Sequence, residues 1–198
     1  MKKEIVRSLK MLLLMTILTG IIYPLFITAI GQIFFSDKAN GSLYIKDGKV
    51  RGSFLLGQNF TDSTYFHSRP SAINYNPIPS GASNLGLTSK LLHEQFNERK
   101  SNFLLTNGLD PAKEVSAEML FASASGVDPH ISKQAAYLQV FRIAKARSLN
   151  KIQTNKIYKI VDSLTEYPQF GFLGNEAVNV LKLNIKLDLL TAKKRDKK

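Results

Sequence analysis

The chain has 198 residues, 44% of them hydrophobic, no cysteine and a formal net charge of +12. Without thiols there are no disulfides, no thiolate metal sites and no cysteine nucleophile, so a domain outside the cell would rest on packing alone. The charge does not describe a nucleic-acid surface: residues 1–10 carry +3, residues 193–198 carry +4, and +5 remains for everything between, with no dense basic stripe.

Residues 11–35 contain no formal charge. As a helix this stretch reaches roughly 37 Å, enough to cross a hydrocarbon core of about 30 Å with some tilt. It is longer than the apolar core of a cleaved signal, and the pair Ala29-x-Gly31 is followed by further apolar residues, so an uncleaved anchor is expected. Lys2, Lys3, Arg7 and Lys10 crowd the residues before it, whereas Lys38, Lys46 and Lys49 are spread more thinly beyond. That asymmetry keeps the N-terminus cytoplasmic and places the remainder outside. Four regions are expected: a basic N-terminus (1–10), a transmembrane helix (11–35), one extracytoplasmic domain (36–192) and a basic tail (193–198). Within the span, Thr16 and Gly20 offer close approach to another helix, and Pro24 is expected to bend the chain.

Residues 43–50 read as two short strands around Asp47-Gly48, a hairpin signal. Residues 52–88 are rich in Ser, Asn, Pro, Gly and Tyr, an irregular segment too long for a routine connection. Its aromatics, including Phe60, Tyr65, Phe66 and Tyr75, give it something to bury, which argues against disorder. Ser89 is expected to cap a helix carrying Leu91, Leu92 and Phe96, with Arg99 near its end. Asp128, Pro129 and Ser132 precede a second helix with Ala136, Val140, Ile143, Ala144 and Arg147 on one face. Thr154 or Asn155 is expected to cap a third, with Ile157, Ile160, Val161 and Leu164 at helical spacing. The alternation of Leu181, Leu183, Ile185 and Leu187 with polar residues predicts a closing strand. Strands, helices and a strand make an α+β domain with a long irregular loop.

No Walker loop and no aspartyl-phosphate signature occurs, so no catalytic residue for ATP hydrolysis is assigned. The histidines, His67, His93 and His130, are far apart in sequence and none lies in a His-x-x-x-His arrangement, so no metal site is expected. Ser123, Ser125, Asp128 and His130 crowd together, which raises the alternative of a membrane-anchored serine hydrolase. The glycine required before an elbow serine is missing, however, and Asp128 and Ser132 suit helix capping better.

Five segments, GSFLLGQNF (52–60), YFHSRPSAINYN (65–76), SGASNLGLT (80–88), ASASGVDPHIS (122–132) and LGNEAVNVLKLNIKLD (173–188), together with the N-terminal anchor, resemble in order the C subunit of the bacterial Kdp potassium-transporting ATPase. The departures are small: Phe121 stands where threonine is usual, and Lys133 and Leu87 where proline is common. The resemblance implies a non-catalytic accessory subunit of a potassium-uptake complex in the bacterial cytoplasmic membrane. Its implied partners are a channel-like potassium-carrying subunit and an ATP-hydrolysing P-type subunit, with no nucleic acid. It further implies a catalytic chaperone that raises nucleotide affinity, with ATP contacts at Ser53, Gly57 and Gln58 and no cofactor of the chain's own. An outside domain, by contrast, cannot meet cytoplasmic ATP. The topology suits a cap on the outer mouth of the potassium-carrying subunit, with Tyr65, Phe66, Arg69, Pro70, Tyr75, Asn76, Ser83 and Asn84 facing that partner.

Overall fold

The computed structural model describes residues 2–195, with side chains described for 2–190; the basic tail from Lys193 lies outside the described side chains. The chain divides into two compact units, Met1–Leu43 and Tyr44–Lys198.

The first unit is dominated by a continuous helical stretch, Lys2–Phe34, with a mean hydropathy of 2.2 in its most apolar window and none of that window buried within the protein. Its length, about 50 Å at 1.5 Å per residue, exceeds a bilayer core. It starts earlier than the uncharged stretch, because the basic residues before Met11 are also helical. It comprises α1 (Lys2–Ile17), a π-turn (Leu18–Ile22) and α2 (Tyr23–Phe34). Pro24 has no N–H to offer the preceding turn. The helix widens just before it, with the Tyr23 N–H bonded five residues back to the Leu18 carbonyl. A short helix, α3 (Ser36–Ala39), follows.

The domain opens with the expected hairpin, β1 (Leu43–Lys46) and β2 (Lys49–Ser53). Asp47 (φ 54°) and Gly48 (φ 69°) both take positive φ, as a two-residue hairpin turn demands. After the irregular segment, α4 (Lys90–Asn107) begins at Ser89, whose hydroxyl accepts the Leu92 N–H. It runs past Arg99 to a left-handed Gly108, two turns further than its apolar residues suggested.

A three-stranded antiparallel sheet, ordered β3 (His130–Ile131), β5 (Ala177–Asn179) and β4 (Thr165–Glu166), carries the core helices. Val178 sits opposite both Ile131 and Thr165 at its centre. Ser132 caps α5 (Lys133–Ala146), its hydroxyl accepting the Ala135 N–H. The cap of α6 (Lys151–Leu164) is Asn150, in a reciprocal capping box with Gln153, rather than Thr154 or Asn155. Val140, Ile143, Ile157, Val161, Val178, Leu183 and Leu187 are fully buried and form one core.

The closing segment is the main departure from expectation. Only 177–179 is strand; Val180–Arg195 is a helix, α7. Val180, Leu183, Asn184 and Leu187 are buried at helical spacing. The period-two reading failed because Asn184, the one polar member of that face, disguised it.

Candidate functional site

Residues 54–88 form no regular strand or helix, so their backbone groups need partners from elsewhere. Long polar side chains on the helices supply them. Asn184 of α7 accepts the Phe66 N–H at 2.8 Å and donates to the Phe66 carbonyl at 3.0 Å. Gln139 of α5 does the same for His67, at 2.7 and 3.3 Å. Arg142 donates to the Ser63 carbonyl at 2.6 Å and to Asn107 and Gln139 side chains, tying α4, α5 and the loop together. Its burial pulls the guanidinium down to about 10, still charged at neutral pH. Arg147 donates to the Thr64 carbonyl, pairs with Asp188 at 2.9 Å and lies over the Tyr65 ring. These amides and guanidinium groups replace a β-ladder.

A second node holds the next stretch. Arg69 pairs with Asp128 at 2.7 Å, and Nε donates to the Glu118 carbonyl. The Tyr75 hydroxyl donates back to the Arg69 carbonyl, and its burial pushes that phenol up to about 12. Burial by itself would raise the Asp128 carboxyl, but bonding from His130 and Arg69 outweighs it and holds it at about 2. Asp128 therefore is not the helix cap expected of it. Oδ1 accepts the His130 N–H in a turn leading into β3, and the helix starts only after Ser132.

The residues proposed for partner contact are thus of two kinds. Phe66 is fully buried and belongs to the core, so it cannot face a partner. Tyr65, Arg69, Pro70 and Tyr75 are half-buried, whereas Asn76, Ser83 and Asn84 are exposed. The first group shapes the loop and the last group lies on its surface.

The Ser53–Gln58 segment packs as a tight turn. The buried Ser53 hydroxyl accepts the Leu55 N–H. Gly57 is pressed against the chain before β3: its N–H meets the Val127 carbonyl at 2.7 Å, and a Cβ there would lie 2.5 Å from the Asp128 carbonyl oxygen. Gln58 reaches back to the Arg51 carbonyl of the hairpin, and its own carbonyl accepts the Ser68 hydroxyl. Beside it opens a cleft of about 390 Å³, lined by Tyr44, Lys46, Arg51, Gln58, Tyr65 and Asp188 among others. Its walls mix aromatic rings with charges of both signs.

The serines do not assemble a hydrolase. The Ser123 N–H bonds to the Pro70 carbonyl, the Ser125 hydroxyl accepts the Val127 N–H, and among the described residues no hydrogen bond joins either to His130. His130 Nδ1 instead lies 3.7 Å from Asp128. No group of three or more His, Asp or Glu among the described residues is placed to hold a metal ion. Sequence reasoning missed Asn107, Gln139, Arg142 and Asn184 as loop clamps, and placed Arg147 only on the core face of its helix. Their signal was polar residues recurring in phase with helix core positions.

These features define a class: an α+β domain with a side-chain-clamped loop, preceded by an apolar helix that, among the described residues, is long enough to span a membrane. Residues 5–189 match the family model described as KdpC, K+-transporting ATPase, c chain. The chain is similar to proteins named potassium-transporting ATPase KdpC subunit. That of Mycobacterium tuberculosis H37Rv is 42% identical over 192 residues, covering 96% of this chain and 100% of the relative. That of Caldanaerobacter subterraneus is 41% identical over 198 residues and 100% of both chains. The chain belongs to the KdpC family, as a subunit of a potassium-transporting ATPase complex.

Proposed function

We propose that this chain is the accessory, non-catalytic subunit of an ATP-driven potassium-uptake complex in the bacterial cytoplasmic membrane. Its helix anchors it with the N-terminus inside. Its domain lies outside and docks on the outer mouth of the potassium-conducting subunit. The observation that carries this reading is the clamped loop. The buried polar side chains bind the loop's own backbone and hold it in one shape, which suits a rigid docking surface. Asn76, Ser83 and Asn84 present the outward polar groups of that surface. Gly20 lies within the π-turn and Thr16 and Pro24 flank it, and nothing lies within 4 Å of a Cβ built on Gly20, which leaves room for a partner helix.

An outside domain raises ATP affinity of the P-type subunit only by favouring one conformation of the pump, because cytoplasmic nucleotide cannot reach it. Ser53, Gly57 and Gln58 then act by holding the hairpin against the loop, not by touching ATP. Three measurements test the reading. Protease added to spheroplasts should remove the domain. Ser83→Trp, a bulky change at an exposed position, should raise the potassium concentration for half-maximal ATPase activity of the assembled complex several-fold; an unchanged value overturns the docking surface. Photolabelling of this chain by ATP analogue, competed by unlabelled ATP, overturns the indirect effect.

A further inference from the structure

The turn at residues 167–173, between β4 and β5, exposes an unusual concentration of apolar surface. Phe170 is 86% exposed and Phe172 75%, flanked by Tyr167 and Leu173, both more than half exposed. No charged residue occurs from 167 to 174. Phe170 sits at φ 54°, a left-handed conformation that bulky side chains rarely adopt, so turn geometry does not explain a phenylalanine there. The backbone of the turn closes on itself. Gln169 and Leu173 exchange two hydrogen bonds of 2.9 Å, and the Gly171 and Phe172 N–H groups bond to Pro168 and Gln169 carbonyls. The aromatics present rings of the kind that settle at the headgroup level of a bilayer. Residues 35–43 link the apolar helix to the domain, a connection of at most about 30 Å even fully extended. Where the helix spans a bilayer, that short tether keeps the domain near a lipid surface.

We propose that the 167–173 turn is a second membrane contact, with Phe170 and Phe172 inserted among lipid headgroups and upper acyl chains. The turn then fixes the orientation of the domain above the bilayer, which a single helical tether leaves free. The proposal rests on the anchoring part of the functional reading, which is checked separately by retention of the full chain on vesicles after alkaline carbonate washing. The chain contains no tryptophan, so an introduced indole is read as the difference between the emission of the variant complex and that of the unsubstituted complex. Phe172→Trp is made in the assembled complex, reconstituted into phosphatidylcholine–phosphatidylglycerol vesicles with or without acyl-chain-brominated lipid. Its emission is expected to be blue-shifted and about two-fold quenched by bromolipid, because an inserted ring lies roughly 5–10 Å deep. Phe170→Trp should repeat the result, while Ile152→Trp, on the exposed face of α6, should be neither shifted nor quenched. Red, unquenched emission from both turn variants overturns the proposal. So does blue-shifted emission that bromolipid leaves intact, the signature of burial against a protein partner.

Discussion

Asn184→Leu isolates what holds the loop to the core. Asn184 is 3% exposed and satisfies both backbone groups of the fully buried Phe66. Leucine has similar volume, so little cavity forms, and it is the better helix former by a few tenths of a kcal/mol. Helix propensity and hydrophobicity thus both predict stabilisation. The polar accounting predicts the reverse. A buried N–H and a buried carbonyl are each left without a partner at about 1–3 kcal/mol, for a total of about 2–6 kcal/mol. In a chain of this size that lowers the unfolding midpoint by about 4–24 °C at roughly 2–4 °C per kcal/mol. The assay is thermal unfolding of the detergent-solubilised chain followed by tyrosine near-ultraviolet dichroism, with limited proteolysis at 60–76 as a local reading. Lys186→Leu, on the exposed side of α7, is the control. A midpoint unchanged or raised in Asn184→Leu, with the loop still protected, would refute the claim that side-chain amides order this segment.

Arg142→Met removes three bonds linking α4, α5 and the loop and should cost about 2–4 kcal/mol in denaturant unfolding. Arg142→Lys should not rescue it, because an ammonium lacks the planar fork that reaches all three acceptors. Asp128 is held at about 2 in the folded state against an ordinary 3.8, so its contribution is present above pH ~4 and is lost as pH falls toward about 2. After allowance for its partial exposure that contribution is about 1–2 kcal/mol, and Asp128→Asn should flatten the acid limb of the stability profile accordingly. Gly57→Ala forces a Cβ onto the Asp128 carbonyl and should destabilise by about 1–3 kcal/mol, read as a lowered denaturant midpoint. Ser125→Ala should leave the potassium-stimulated ATPase activity of the complex unchanged, as a loop-forming hydroxyl outside any catalytic relay predicts.

Local chemistry determined several features without help from the rest of the molecule. The uncharged stretch within Lys2–Phe34, the Asp47-Gly48 turn and the caps at Ser89 and Ser132 each depend on residues within a few positions of one another. The helical face of Ile157 and Val161 was likewise visible, although its start was misplaced because Asn150 and Gln153 act as a reciprocal pair. Tertiary structure alone decided the rest. α7 reads as a strand until Asn184 is known to bond Phe66, 118 residues away. Asp128 looks like a helix cap until Arg69, 59 residues away, claims its carboxylate. Phe66 looks like a partner-facing aromatic until the helices close over it. A buried polar group is tolerated only when its partner is in place, and sequence carries no sign of a partner that folding brings from a distant element.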